Sequence, residues 1–79
     1  MVHEKIMLRD IDFAAVAVRK AIAAKFERQQ DLKTLDVSAG ERTIIVRDGD
    51  RLAEGTRDDL LAGIREAGSY DELWQRWAT

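Results

Sequence analysis

The apolar residues of this chain change period twice, and that double change limits the folds open to it more than any other feature. Ile11, Ala15, Val18, Ile22 and Phe26 recur every three or four residues, the spacing of one helical face. Through TLDVSAGERTIIVRDGDRLAEG the period drops to about two, the signature of half-buried strands. It returns to three and four at Leu60, Leu61, Ile64 and Ala67. Helix, sheet and helix within 79 residues predict one small α+β domain, because so short a chain cannot close two cores.

In detail, the pattern predicts an arm or short strand over 1–9, where Val2, Ile6 and Leu8 fall on even positions. A long N-terminal helix over 10–30 follows, with Asp10 or Asp12 placed to cap it. Next comes a three-stranded antiparallel meander over 34–54. A turn at Ala39-Gly40 would set Val37 opposite Arg42 and Leu35 opposite Ile44, gathering Leu35, Val37, Ile44 and Val46 on one face. An Asp48-Gly49 hairpin turn would set Ile45 opposite Leu52 and Val46 opposite Arg51. Thr56, with Asp59 three residues on, begins a helix over 56–67 in a capping-box pattern, and Gly68 is placed to end it. Ser69 and Glu72 repeat that box and begin a short aromatic helix over 69–77.

The first helix carries apolar side chains on more than one side. Phe13 and Val16 lie well away from the Ile11 to Phe26 stripe, so a single flat core cannot cover both. The expectation is a second cover from within the domain, by the N-terminal arm or by the tail helix, with a partner protein as the alternative. A domain of this size buries only about 60–65% of the surface its unfolded chain exposes and gains from any partner that covers apolar surface.

Composition removes several classes of function. Without cysteine there is no disulfide framework, no cysteine-based zinc site and no thiol nucleophile, and the chain fits a reducing, cytoplasmic compartment. A net charge of -2 argues against a nucleic-acid arm. Arg19, Lys20, Lys25 and Arg28 offer some basic surface on the first helix, but Glu27 interrupts it, so nucleic-acid binding is a minor alternative. No run approaches the roughly 20 apolar residues of a membrane span. Arginine outnumbers lysine and alanine is abundant, the usage of GC-rich bacterial genomes and their phages, which is the expected source.

The chemistry-bearing residues assemble nothing. His3 has no second histidine or cysteine to share a metal or activate a nucleophile. Ser38 and Ser69 have local tasks, at a turn and as a cap. Asp48, Asp50, Glu54, Asp58 and Asp59 are close in sequence, but Arg47, Arg51 and Arg57 interleave with them, and the fragment Asp48-Gly49-Asp50 is too little of a calcium loop. The five glycines are isolated, so no phosphate-binding loop is present. No metal, no cofactor and no enzymatic activity are expected.

The tail SYDELWQRWAT is the most suggestive stretch. Tyr70, Leu73, Trp74 and Trp77 share one helical face and hold three of the five aromatics. That face can cap the core over Phe13 and Val16, or present Trp anchors to a partner, or divide, with Trp74 inside and Trp77 outside. The segment from Ile44 to Trp74, with Asp48-Gly49, Glu54-Gly55-Thr56, Leu60-Leu61, Tyr70 and Leu73, resembles the C-terminal segment of ABC-transporter ATPase domains. The resemblance covers under half the chain and implies a hairpin followed by a helix. The phosphate loop, signature and catalytic carboxylate motifs of that family are absent from the sequence, so it implies no ATPase.

The sequence therefore points to a small non-enzymatic protein-binding module, an inhibitor or accessory subunit that occupies a surface on another protein. The expected contact residues are Trp77, Trp74, Tyr70 and Phe13, with Asp48 and Asp50 steering toward a basic surface. A self-associating virion or assembly component is the alternative, and a homo-oligomer remains open under either.

Overall fold

Each periodic segment becomes a regular element in a computed structural model, which describes residues 10–78. The arm or strand expected over 1–9 lies outside the described residues. The order is α1 (Asp10–Phe26), β1 (Leu35–Ala39), β2 (Ile44–Asp48), β3 (Arg51–Gly55), α2 (Arg57–Glu66) and α3 (Tyr70–Ala78), an α+β domain as expected.

The α1 stripe is buried as the period requires: Ala15, Val18, Ile22 and Phe26 face the core and Ile11 sits at its margin. Each large apolar side chain so covered contributes about 1.5–3 kcal/mol. The helix is shorter than the expected 10–30. Glu27 to Gln30 are all exposed, so no packing holds that turn in the helix. The chain curls instead, with Gln29 and Gln30 N–H both donating to the Phe26 carbonyl at 2.9 Å. Asp12 lies inside the helix and is not its cap.

The strands form an antiparallel meander in the order β1-β2-β3, with both expected registers corrected. Val37 pairs with Val46 and Leu35 with Asp48, not Val37 with Arg42 or Leu35 with Ile44. The connection is the four residues Gly40 to Thr43, closed by Gly40 N–H donating to Thr43 O at 2.7 Å, and not a two-residue turn at Ala39-Gly40. In the second hairpin Asp48 pairs with Arg51 and Val46 with Ala53, so the two loop residues are Gly49 and Asp50. Gly49 has φ 63, and no other residue among the described ones has positive φ. Those signs match a type II′ turn, which takes glycine at its first position, whereas Asp48-Gly49 as the loop would need positive φ on the aspartate. Both corrections are even-numbered slips, so every side chain keeps its predicted face.

The inner face of the sheet presents Leu35, Ile44, Val46 and Ala53 to the core. α1 packs on β1 and β2, α3 packs on β3, and α2 bridges α1, β3 and α3. The other face carries Asp36, Ser38, Ile45, Arg47, Leu52 and Glu54 toward solvent, and there Thr43 donates to Glu54 Oε2 at 2.7 Å.

Local caps set the last two helices. Thr56 accepts from Asp59 N–H at 3.3 Å and begins α2, while Ser69 accepts from Glu72 N–H at 3.1 Å and begins α3. α2 ends at Ala67, in extended conformation with its N–H donating to Gly63 O. Gly68 does not take the left-handed conformation that its expected role would use. Leu60, Ile64 and Ala67 are buried and Leu61 sits at the core margin.

Candidate functional site

The tail residues form a ladder of edge-to-face rings that begins on α1. Phe26 meets Tyr70 with ring centroids 5.9 Å apart, Tyr70 meets Trp74 at 6.4 Å, and Trp74 meets Trp77 at 5.1 Å. Each such pair adds about 0.5–1.5 kcal/mol beyond the area it buries. Tyr70 is 4% exposed and Trp74 6%, which leaves these two expected anchors almost no side chain to offer a partner. Trp77 is half-buried over Gly63 of α2, with its Nε1 shielded from solvent and without a hydrogen-bond partner. The ladder therefore closes the end of the core formed by α2, α3 and β3. It does not cover Phe13 and Val16, contrary to one expected arrangement of the tail.

Asp48 serves the same ladder. It occupies the last inner-face position of β2, opposite Leu35, where a carboxylate needs partners. It has two: the Tyr70 hydroxyl donates to its Oδ2 at 2.6 Å, and the Thr34 hydroxyl donates to its Oδ1. These two hydrogen bonds, with the charge of Arg51 behind them, hold the Asp48 carboxyl below its ordinary value. Burial, and then the hydrogen bond to Asp48, push the Tyr70 hydroxyl up to about 12. Asp48 is thus engaged internally, whereas Asp50 at the hairpin tip is exposed. Arg51 also pairs with Asp71 at 3.4 Å, tying the hairpin to α3.

Phe13 is the predicted contact residue whose ring the fold leaves uncovered. It is 57% exposed and Val16, one turn on, is 46% exposed. Phe13 lines an open groove of about 660 Å³ together with Ile11 and Ala14 of α1, Glu41 and Arg42 of the β1–β2 connection, and Thr56 and Arg57 at the start of α2. Its floor is apolar and its rim carries charges of both signs. The groove exists because α1 begins where the first hairpin turns and α2 starts, a juxtaposition the sequence pattern does not reveal.

Sequence reasoning missed Lys25. Read as one of several basic residues on a helix face, it instead reaches the C-terminal end of α2, where its Nζ donates to Ile64 O at 2.7 Å and Arg65 O at 2.9 Å. A cation at that end satisfies orphan carbonyls and meets the negative end of the helix dipole. No local signal announces this, since the partners lie about 40 positions away. Arg19 is likewise drawn inward, its guanidinium reaching Leu35 O at 3.4 Å. Among the described residues, no three histidine, cysteine or acidic side chains are grouped to hold a metal ion, and no helix is long and apolar enough to cross a membrane. No family model, curated protein or solved structure matches this chain.

Proposed function

We propose that this chain is a non-enzymatic protein-binding module that works by occupying a surface on a partner protein, with Phe13 as its anchor. The observation that carries the reading is the exposure of the Phe13 ring beside an apolar groove with a polar rim, the anatomy of a docking patch. Covering that ring would contribute about 1.5–3 kcal/mol to a complex. Among the described residues, Asp48 and Tyr70 have displaced titration, and their hydrogen bond engages each with the other in holding the fold, which supports a non-enzymatic reading. The rim sets Glu41 beside Arg42 and Arg57, so it favours a docked surface with charges of both signs, while Asp50 on the hairpin tip favours a basic group beyond it.

The test is capture from a bacterial lysate by the tagged protein, with Phe13→Asp as control after circular dichroism has verified its fold. One stoichiometric protein retained by the wild type and lost with the folded variant supports the reading. Equal retention by both, or retention of nothing, overturns it. With the partner in hand, the association rate should fall as salt is added if the rim charges steer it.

A further inference from the structure

The free edge of β3 is a second docking surface, separate from the Phe13 groove. In a two-residue hairpin the flanking residues form a hydrogen-bonded pair, here Asp48 with Arg51, so Arg51, Ala53 and Gly55 bond inward to β2. The first hairpin agrees. Gly40 N–H on Thr43 O makes 40/43 a hydrogen-bonded pair, which turns the odd residues of β2 to β1 and leaves its even ones for β3. Leu52 and Glu54 therefore point their N–H and C=O away from the sheet, and among the described residues nothing bonds to those main-chain groups. α3 runs beside this edge without taking it. Leu52 belongs to the outer face and α3 packs against the inner one, yet both line a single open groove of about 450 Å³, with Trp74 and Ala78 on its helical wall. The groove thus passes round the free edge of the strand.

We propose that this edge takes an extended segment of another protein as a fourth strand, antiparallel to β3, with apolar side chains over Trp74 and Leu52 and a basic one against Glu54. The occupant is extended main chain, because the edge offers N–H and C=O groups in strand register and only another strand meets them together. Its side chains alternate faces. The residue opposite Ala53 turns toward Trp74 and Ala78 and is apolar, and the residue opposite Leu52 lies beside a side chain 57% exposed and is apolar too. The residue opposite Glu54 meets a carboxylate that has the Thr43 hydroxyl as a partner and, among the described residues, no cation. Lysine or arginine fits there. Arg51, at the other end, is already paired with Asp71.

A second copy of the chain does not fit this edge. Antiparallel pairing of β3 with itself has to join outward residues to outward residues. Centred on Leu52 it sets Asp50 against Glu54, centred on Glu54 it sets like on like, and centred on Ala53 it sets Leu52 against Glu54 twice. The acid on the edge turns its own strand away and selects for a base.

The test is a nuclear magnetic resonance titration of the full chain with the end-blocked peptide Thr-Lys-Val-Ile-Thr, whose lysine falls opposite Glu54 when its valine lies opposite Ala53. In the free chain the Leu52 and Glu54 amides should exchange quickly with solvent and the Ala53 amide slowly. The peptide should shift and slow the first two and shift the Trp74 indole. Glutamate in place of the peptide lysine should weaken binding about fivefold or more, and N-methylation of its lysine and isoleucine should abolish it. Leu52→Pro removes an outward N–H and no bond to β2, so it should fold and lose the response. If it does not fold, the N-methylated peptide carries the same test. Folded Phe13→Asp should keep the response, which separates this edge from the Phe13 groove. Slow Leu52 and Glu54 amides in the free chain overturn the proposal, since residues 1–9 or a second copy then hold the edge. So does an absent response, one that maps away from β3 and α3, one that folded Phe13→Asp loses, or one that the altered peptides or folded Leu52→Pro reproduce.

Discussion

Replacing Gly63 by alanine should destabilise this protein, although the same change in most helices does the opposite. Gly63 is in the interior of α2, where alanine is ordinarily worth about 0.5–1 kcal/mol over glycine. Here an added Cβ would stand 2.7 Å from Trp77 Nε1 and 3.2 Å from Trp77 Cδ1. The indole is rigid and is braced edge-to-face against Trp74 at 5.1 Å, so making room means moving α3 or tilting the ring out of the ladder. Overpacking of this kind costs about 1–3 kcal/mol, which exceeds the helical gain. The net loss of about 1 kcal/mol should lower the melting temperature by roughly 4–8 °C in a domain of this size. In a Trp77→Ala background the obstruction is gone, and Gly63→Ala should then raise the melting temperature by several degrees. Thermal melts of the four proteins, followed by circular dichroism, measure the coupling directly. If Gly63→Ala stabilises both backgrounds equally, the packing of Trp77 on α2 is wrong.

Burial should separate Trp74 from Phe13: Trp74→Ala should cost about 3–5 kcal/mol and Phe13→Ala less than about 1, read from urea unfolding. Thr56→Ala and Ser69→Ala should each cost about 1 kcal/mol, because each removes the side-chain acceptor at a helix start. The Tyr70 hydroxyl should ionise near pH 12 and not near 10 in an ultraviolet titration. Its folded value is raised, so the stability it contributes is complete below pH 10 and is lost as pH climbs toward 12. Asp48 has the opposite sign: its contribution is present above its ordinary 3.8 and is lost as pH falls through the lower folded value. Asp48→Asn should accordingly flatten the acid limb of the stability profile, and an unchanged limb would remove Asp48 from that role.

Much of the candidate site was legible, though its assignments shifted. Phe13 stood out because it lies off the α1 stripe, and the structure leaves it exposed. Tyr70 and Trp74 stood out by composition, and composition could not say that Phe26 would receive one and Trp77 brace the other. Asp48 was read as a steering charge, yet its parity with Ile44 and Val46 already placed it on the inner face, where a carboxylate needs donors such as the hydroxyls of Thr34 and Tyr70. Lys25 was not legible at all, because its acceptors belong to a helix end brought beside it only by the packing of α1 on α2.

The order of the elements, the start of α2 and α3, and the face that each strand residue takes were settled by sequence alone. They depend on side-chain period and on caps that act over three residues, both local properties. The pairing registers, the end of α1 and the element each aromatic packs against were settled only in three dimensions. A period of two fixes parity and is indifferent to a slip of two or four residues. The slip is chosen by the turn that glycine can make at position 49 and by the four-residue connection that lets Val37 meet Val46. Which apolar face stays bare is decided by competition for the core: α3 closes on Gly63 and β3, and Phe13 remains outside.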